Sequence, residues 1–184
     1  MTLGADEVGR GCWAGPLVAG AVLLARPIDG LKDSKKLSKK QRERLSKIIL
    51  AEAEAYGLGW VWPNEIDQLG LTAAVELAMR RAVEQITADY DELIIDGNYN
   101  FFPEEPRAKA IIKADDLVPA VSAASIIAKV ARDNYMEELA VQYPEYGFEK
   151  HVGYGTALHI ERLKLHGVSD QHRRSYKPIQ ALLI

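Results

Sequence analysis

The sequence predicts an α/β fold in which a mixed five-stranded sheet is flanked by helices. Short apolar segments come first, and strand-like and helix-like segments then alternate along the chain. No internal repeat or low-complexity linker interrupts the 184 residues, and a chain of this length suits one hydrophobic core. We therefore expect a single domain over residues 1–184, with a helical C-terminal part at about 145–184.

Five segments have the apolar patterns of strands. They are residues 2–5, 17–25, 56–62, 93–96 and 108–113. The second is a continuous run rich in Val and Leu, which is typical of a strand covered on both faces. The third alternates in the manner of a strand and ends at Pro63.

Four segments have the spacing of helices. Ser38, with Gln41 three residues later, predicts a capping box at the start of the first helix, which carries Leu45 and Ile49 on its apolar side. The other three helices are predicted at residues 72–86, 118–141 and about 156–166. Each of these carries apolar residues three or four positions apart, the spacing of a helix face that packs on a core.

Charge is unevenly distributed along the chain, whose formal net charge is −3. Residues 32–47 contain eight Lys or Arg against two acidic residues, and residues 150–177 contain six against two. Two basic segments on an otherwise acidic body favour a protein that contacts a phosphate backbone locally, although a solvated helix face is the alternative for either segment alone. The four histidines all lie in the last third of the chain, and we expect them on this basic surface, facing phosphate.

The only cysteine, Cys12, excludes a disulfide framework and indicates a reduced, cytoplasmic setting. The longest apolar run, residues 12–25, contains two glycines and a proline and is too short to span a bilayer. It follows two acidic residues, whereas a signal peptide begins with a basic segment. We therefore expect no membrane association.

Three of the predicted strands end in carboxylates. Asp6 and Glu7 follow the first strand, Asp96 ends the fourth, and Asp115 or Asp116 follows the fifth. Functional sites in open α/β sheets collect at the carboxyl ends of strands, so we expect these groups to meet. Like charges at close range require cations, and an all-oxygen ligand set suits Mg²⁺ or Mn²⁺.

Carboxylates that hold two such ions are suited to phosphoryl chemistry, and hydrolysis of a phosphodiester fits best. The alternative is structural at each position. Asp96 precedes Gly97 and could be a turn residue, while Asp115 and Asp116 could cap the helix that follows them.

The segment Gly9-Arg10-Gly11 directly follows the first acidic pair. Asp6 and Glu7 point to opposite faces of a straight strand, so we expect the backbone to turn there and bring them together. Glycines permit such a turn and let a ligand approach backbone N–H groups, while Arg10 supplies a cation for phosphate. The alternative is a strand end followed by a solvated turn.

Six motifs in the same order resemble those of the bacterial ribonuclease HII family, the type 2 ribonucleases H, over essentially the whole chain. They are DEVGRG at 6–11, DSKKL at 33–37, IDG at 95–97, KAD at 113–115, SAASIIAK at 122–129, and GYGT at 153–156 together with HRRSY at 172–176. The residue before the last metal ligand is usually glycine in this family and is Ala114 here. A second acid, Asp116, follows Asp115, and it would take the role if the register were shifted.

The resemblance implies a ribonuclease-H-like fold that hydrolyses the RNA strand of RNA–DNA hybrids, including single ribonucleotides embedded in duplex DNA. It implies a two-metal-ion reaction on the 5′ side of the ribonucleotide that leaves a 3′-hydroxyl and a 5′-phosphate. The family's roles are ribonucleotide excision repair and removal of RNA primers. Metal binding is implied for Asp6, Glu7, Asp96 and Asp115, and substrate binding for Gly9, Arg10, Gly11, Ser34, Lys35, Lys36 and Tyr154.

Within this resemblance, the Gly9-Arg10-Gly11 backbone reads the 2′-hydroxyl, Tyr154 packs against a sugar, and the 34–36 segment contacts phosphates. Rival interpretations are a type 3 ribonuclease H, whose additional amino-terminal domain we expect to be missing because the first strand begins at Met1, and a non-catalytic nucleic-acid-binding module. A small-molecule phosphohydrolase is a third, which the two basic segments disfavour. We expect a monomer.

The last five residues, QALLI at 180–184, faintly resemble a peptide that binds a sliding clamp. The alternative, which we favour, is a terminal helix or strand docked on the domain.

Overall fold

The structure is a computed structural model that describes residues 1–31 and 34–183. The aspartate of the DSKKL motif, Asp33, lies outside the described residues. The five strands are β1 (Thr2–Val8), β2 (Leu17–Leu24), β3 (Ala55–Val61), β4 (Glu92–Asp96) and β5 (Ala108–Ile111). They form one sheet in the order β3-β2-β1-β4-β5.

The sheet is mixed, as the sequence predicts. β1 pairs antiparallel with β2 and parallel with β4, and β4 pairs parallel with β5. The carboxyl ends of β1, β4 and β5 therefore lie at the same edge of the sheet. Asp6 and Glu7 lie near the end of β1, Asp96 ends β4, and Asp115 follows β5.

The helices are α1 (Lys39–Glu52), α2 (Pro63–Leu69), α3 (Leu71–Val83), α4 (Ala114–Leu117), α5 (Pro119–Gln142), α6 (Phe148–His151), α7 (Ala157–His166) and α8 (Lys177–Gln180), with a short 3₁₀ turn at Ser34–Lys36. The predicted capping box of Ser38 and Gln41 is present at the start of α1. Four of these helices, α2, α4, α6 and α8, were not predicted, because seven residues or fewer show too little periodicity to recognise. No helix in the described part of the chain combines the length and apolar character needed to cross a membrane.

α3 covers one face of the sheet, and α5 with α1 covers the other. The approach of α5 depends on Gly20 of β2, because a Cβ added there would lie 2.4 Å from the carbonyl oxygen of Ala124. Gly20 is the neighbour of Asp6 across the β1–β2 pair. The missing side chain of Gly20 thus lets the middle of α5 pack directly beside the first acidic residue.

The C-terminal helical part packs against the second half of α5. Phe148, Leu163 and Ile179 are buried there together with Met136 and Leu139 of α5. The chain after α7 returns to the segment between β1 and β2, where an isolated bridge joins Ala14 and His172. This packing brings residues 153 and 171–173 into backbone hydrogen bonding with residues 13–15, in the segment that follows β1.

Candidate active site

Asp6 and Glu7 lie inside β1, so the predicted turn between the strand and these residues is wrong. The pairing of β1 with β2 continues through Asp6, Glu7 and Val8, and the backbone turns only at Gly9, whose φ is 91°. The partner strand explains the difference, because β2 begins at Leu17 and can pair with β1 as far as Val8. The parallel pairing with β4 ends earlier, at Ala5.

The two acidic side chains of β1 interact electrostatically with Asp96 despite their alternating directions. Burial is the main reason that the pKa of Asp6 is raised well above its usual value, and the charges of Glu7 and Asp96 raise it further. Burial also raises the pKa of Glu7, against the opposing effect of Arg10 at 3.0 Å, and Asp96 again adds to it. Three carboxylates therefore repel each other where β1 and β4 separate.

Asp96 is the last residue of β4, and its carboxylate is fixed by the start of α4. Oδ1 of Asp96 accepts a hydrogen bond from the backbone N–H of Ala114 at 2.8 Å and a longer one from Asp115 at 3.5 Å. Asp96 is therefore not simply a turn residue before Gly97, because it connects β4 to the helix that carries the fourth acid.

Asp115 and Asp116 differ in their surroundings. Asp115 is buried, and its Oδ2 lies 3.5 Å from Nζ of Lys35. Asp116 is exposed and lies 2.5 Å from Nζ of Lys36. Of the two candidates for the fourth acid, the geometry favours Asp115, which lies next to Asp96 in a less hydrated position.

A cationic cavity opens on the α5 side of Asp6. Its lining consists of Asp6, Glu7, Val8, Ser34, Lys35, Arg42, Ser125, Lys129 and Tyr154. The hydroxyls of Ser34 and Ser125 lie 2.9 Å apart, which connects the 3₁₀ turn to α5 beside Asp6. Ser34, Lys35 and Tyr154 are thus brought together with the acidic pair, whereas Lys36 lies at Asp116.

A second cavity opens on the other side of Glu7. It is lined by Glu7, Arg10, Thr72, Val75, Asp96, Gly97, Asn98, Tyr99 and Phe101. Glu7 borders both cavities, so the carboxylates can be reached from two directions along the edge of the sheet.

The segment that follows β1 reaches the surface at Arg10 and Gly11. Gly9 is buried, while Arg10 and Gly11 are exposed, and a Cβ added at Gly11 would meet no atom within 4 Å. The following residues are anchored by backbone hydrogen bonds, from Trp13 to the carbonyl of Gly153 at 2.8 Å and from Gly15 to that of Gln171 at 2.8 Å. An exposed glycine on an anchored segment suits close approach of a ligand to the main chain.

The expectation that the histidines face phosphate on the surface is wrong for three of the four. His151, His159 and His172 are buried, and only His166 is exposed. Nε2 of His159 and Nε2 of His172 lie 3.0 Å apart, and the rings of His151 and His159 stack with centroids at 4.2 Å. These three buried rings therefore pack inside the C-terminal part and stabilise it.

Two further residues at the site, Arg132 and Arg173, were missed in the sequence. Both are fully buried beneath the segment that follows β1. The signal for Arg173 was its place in the HRRSY motif, whereas an arginine on a helix such as Arg132 ordinarily indicates an exposed face.

The residues present fit a divalent metal ion by their chemistry. The acidic groups offer only hard oxygen donors, and a cation would offset the burial and the mutual repulsion that together raise the pKa of Asp6 and of Glu7. Within residues 1–31 and 34–183, no group of three His, Cys, Asp or Glu side chains already has the arrangement of a metal site.

The mixed five-stranded sheet, with carboxylates that repel each other at the ends of β1 and β4, has the fold of the ribonuclease-H-like nucleases. The family model for ribonuclease HII matches residues 3–179. The chain belongs to the ribonuclease HII family.

Individual comparisons agree with this assignment. The chain is 50% identical over 184 residues to ribonuclease HII of Shewanella loihica, covering 98% of this chain and 88% of that protein. Ribonuclease H2 from Pyrococcus horikoshii OT3 is similar in structure, with a TM-score of 0.83, 29% identity, and coverage of 98% of this chain and 96% of that one. The ribonuclease HII in the PCNA complex from Archaeoglobus fulgidus has a TM-score of 0.78, 28% identity, and coverage of 96% and 95%.

Membership in this family confirms the resemblance and the enzyme class. The protein is a metal-dependent endoribonuclease, a hydrolase that acts on RNA–DNA hybrids. The non-catalytic alternative and the small-molecule phosphohydrolase are set aside by this assignment.

Proposed function

We propose that this enzyme cuts on the 5′ side of a ribonucleotide, including a single one embedded in duplex DNA, and leaves a 3′-hydroxyl and a 5′-phosphate. Its roles would be ribonucleotide excision repair and the removal of RNA primers. The observation that carries the proposal is the position of the acidic groups, with the cavity lined by Lys35 and Tyr154 on one side and the exposed backbone of Gly11 close by.

Asp6, Glu7, Asp96 and Asp115 are the residues that would hold Mg²⁺ or Mn²⁺. When bound, two such ions activate water and stabilise the leaving oxygen at the scissile phosphate. Burial of Asp6 and Asp115 excludes water from the ligand oxygens, which strengthens their attraction for a cation. Ala114 donates to Asp96 and keeps that carboxylate at the end of β4.

The residues on the cationic side of the site would position the nucleic-acid strand. Ser34 and Lys35 line the cavity next to Asp6, where they would contact phosphates of the cut strand. Lys36 is adjacent on the same turn and would contact phosphate from its place beside Asp116. Such contacts fix the register of the nucleic acid and do not read its sequence.

Gly9, Arg10 and Gly11 would select the ribonucleotide. The 2′-hydroxyl is the group that distinguishes RNA from DNA at a given sugar, so a selective enzyme needs hydrogen-bonding groups close to it. The exposed backbone at Gly11 leaves open space for a sugar to approach. Tyr154 is 40% exposed at the rim of the cavity and would pack against a sugar there.

The C-terminal part, about 145–184, would contribute to substrate binding within a single domain, because it supplies Tyr154 and anchors the Gly9–Gly11 segment through Gly153 and Gln171. We propose a cytoplasmic monomer, in keeping with the single cysteine.

The terminal helix α8 is docked on the domain, as we favour from the sequence, and a weak sliding-clamp contact through the residues that follow it is a further part of the proposal. The related Archaeoglobus fulgidus protein was solved in complex with PCNA. In the present chain Ile179 is buried in the C-terminal core, whereas Leu182 and Leu183 are 37% and 48% exposed and available to a partner. Deletion of residues 181–184 should weaken clamp pull-down without changing cleavage of a short duplex, and unchanged pull-down would contradict the contact.

The test of the proposed reaction is to map the ends of its products. A duplex with one embedded ribonucleotide is incubated with the enzyme and Mg²⁺ or Mn²⁺, and the fragments are analysed by mass spectrometry. The expected fragments are a DNA strand ending in a 3′-hydroxyl and a strand beginning with the 5′-phosphorylated ribonucleotide. A cut on the 3′ side of the ribonucleotide, or a 2′,3′-cyclic phosphate end, would overturn the proposed polarity.

A further inference from the structure

Arg132 and Arg173 are two cations buried without an acidic partner. Both are 0% exposed. Among the residues that the structure describes, no carboxylate lies within 4.0 Å of either guanidinium, and every hydrogen bond they donate goes to a neutral oxygen. Burying a charge in this way is costly, and the hydrogen bonds that each guanidinium donates to backbone carbonyls offset that cost.

Arg132 joins the segment after β1 to the segment before Tyr154. It donates to the carbonyl oxygens of Ala14 at 3.1 Å, Pro16 at 2.8 Å and Val152 at 2.8 Å. Gly9 packs so closely on it that an added Cβ would lie 2.5 Å from Nε of Arg132. One planar group thereby fixes the spacing between the Gly9–Gly11 backbone and the loop that carries Tyr154.

Arg173 acts on the exposed segment itself. Its guanidinium donates to the carbonyl of Gly15 at 3.0 and 3.1 Å, and to the carbonyl of Arg10 at 3.1 Å. The hydroxyl of Tyr176 donates to the same Arg10 carbonyl at 2.6 Å and accepts a hydrogen bond from Arg173 at 2.9 Å. The Arg10 carbonyl therefore receives two donors, one of them charged.

The Arg10 carbonyl belongs to the same peptide group as the N–H of Gly11. Donors on a carbonyl oxygen polarise the amide, so the N–H at its other end becomes a stronger donor. Within the described part of the chain, the Gly11 N–H has no acceptor, and the residue faces open space. The protein therefore holds the Arg10–Gly11 peptide by its carbonyl oxygen, and the N–H at the other end of the peptide remains available to a ligand.

We propose that Arg173 and Tyr176 are positioning residues that fix and polarise the Arg10–Gly11 peptide, while Arg132 holds the neighbouring segments in place, and that they so set the preference for a ribonucleotide over a deoxyribonucleotide. The inference rests on the proposed function, in which this backbone reads the 2′-hydroxyl. The guanidinium is suited to the task because it stays charged when buried and serves several carbonyls in one plane.

The experiment compares two duplexes of the same sequence, one with a single ribonucleotide and one of DNA alone. Their dissociation constants are measured in Mg²⁺ with an Asp96→Asn parent, so that neither duplex is cut. Tyr176→Phe, Arg173→Lys and Arg173→Gln are introduced into this parent. Arg107→Gln is the control, because Arg107 also donates to a backbone carbonyl, that of Tyr90, at the opposite end of β4.

The quantity of interest is the ratio of the two dissociation constants, in which the fraction of folded protein cancels. Loss of one hydrogen bond should reduce the ratio by about 3-fold for Tyr176→Phe and about 10-fold for Arg173→Gln, with Arg173→Lys between them. Affinity for the all-DNA duplex should stay within about 2-fold in each case. Arg107→Gln should leave the ratio unchanged.

Two results would overturn the inference. If a substitution weakens the binding of both duplexes equally, the arginine supports only the fold or the overall positive charge of the site. In the second result, the Asp96→Asn parent binds the ribonucleotide duplex selectively, and its Tyr176→Phe and Arg173→Gln variants keep the same ratio of dissociation constants. That result would exclude the positioning role and leave the proposed function intact. Tyr176→Phe keeps the test valid should Arg173→Gln fail to fold, and a parent without selectivity would overturn the loop's proposed role together with this inference.

Discussion

Asp96 accepts the backbone N–H of Ala114 at 2.8 Å, so the carboxylate that ends β4 also fixes the start of the helix bearing Asp115. Asp96 and Asp115, which are 19 residues apart in the chain, are also joined directly by the longer hydrogen bond from the Asp115 N–H at 3.5 Å. The carboxylate that we propose as a metal ligand thus also has a structural role, and the two roles can be separated by substitution.

Asp96→Asn and Asp96→Ala should both abolish cutting but should differ in stability. Asparagine retains an oxygen for the Ala114 N–H and removes one repelling charge, so its melting temperature should be unchanged or slightly raised. Alanine loses the acceptor and should lower the free energy of unfolding by about 1 kcal/mol. Activity should fall by at least about 100-fold in both, measured on a single-ribonucleotide duplex. Equal melting temperatures for the two variants would contradict the structural role of the bond.

Asp115→Asn and Asp116→Asn should separate the two candidates for the fourth acid. Asp115 is buried next to Asp96, so its substitution should reduce the cleavage rate by at least about 100-fold. Asp116 is exposed and pairs with Lys36, and exposed pairs contribute little, so its substitution should change the rate by less than about 3-fold. The reverse order of the two rates would show that Asp116 is the ligand.

Gly11→Ala and Gly20→Ala should affect different properties. A Cβ at Gly11 meets no atom, so the free energy of unfolding should stay within about 0.5 kcal/mol, while cutting at a ribonucleotide should fall by about 10-fold because a sugar can no longer approach. A Cβ at Gly20 would overlap Ala124 and should cost about 1–3 kcal/mol. Urea unfolding and initial cleavage rates measure the two effects. Full activity of the Gly11→Ala enzyme would show that cutting does not require a sugar to approach the backbone closely at this position.

The buried histidines should make the protein less stable in mild acid. Burial lowers the pKa of His159 to about 4 and of His172 to about 3. The unfolded chain takes up these protons below about pH 6.5 and the folded chain does not, so stability should fall by about 1.4 kcal/mol per pH unit for each histidine between about pH 6 and pH 4.

Urea unfolding at pH 7 and pH 5 measures this loss. A His172→Gln variant should show a smaller difference between the two pH values than the unaltered protein, and His166→Gln, at an exposed position, should show the same difference. Equal stability at pH 7 and pH 5 would mean that the buried rings are already protonated at pH 7, or that they take up protons in the folded protein without loss of stability.

Much of the fold follows from local patterns in the sequence. The continuous apolar run of β2 and the Ser38–Gln41 capping box each predict an element that the structure contains. β1 was predicted too short because Asp6 and Glu7 interrupt the apolar pattern, although the strand continues through them. Charged residues inside a buried strand are a local inconsistency of the kind that functional sites tolerate.

The supporting residues of the site could not be predicted, because their environment is made by distant segments. Arg132 and the histidines acquire their partners only when the C-terminal part folds back on residues 9–16. A sequence motif identifies the residues that would contact substrate more readily than the residues that hold them. Burial of a charged side chain without an acidic partner became visible only in the structure.

We propose that acids from two strands, β1 and β4, and from the short helix α4 form one divalent metal site over the scissile phosphate, beside a backbone that reads the 2′-hydroxyl. The most direct measurement is the initial rate of cutting of a single-ribonucleotide duplex and of the matching all-DNA duplex, with Mg²⁺, with Mn²⁺ and with a chelator. We expect cutting of the first duplex alone, and only when one of the metals is present. Cutting that persists in the chelator, or equal cutting of the all-DNA duplex, would contradict the account.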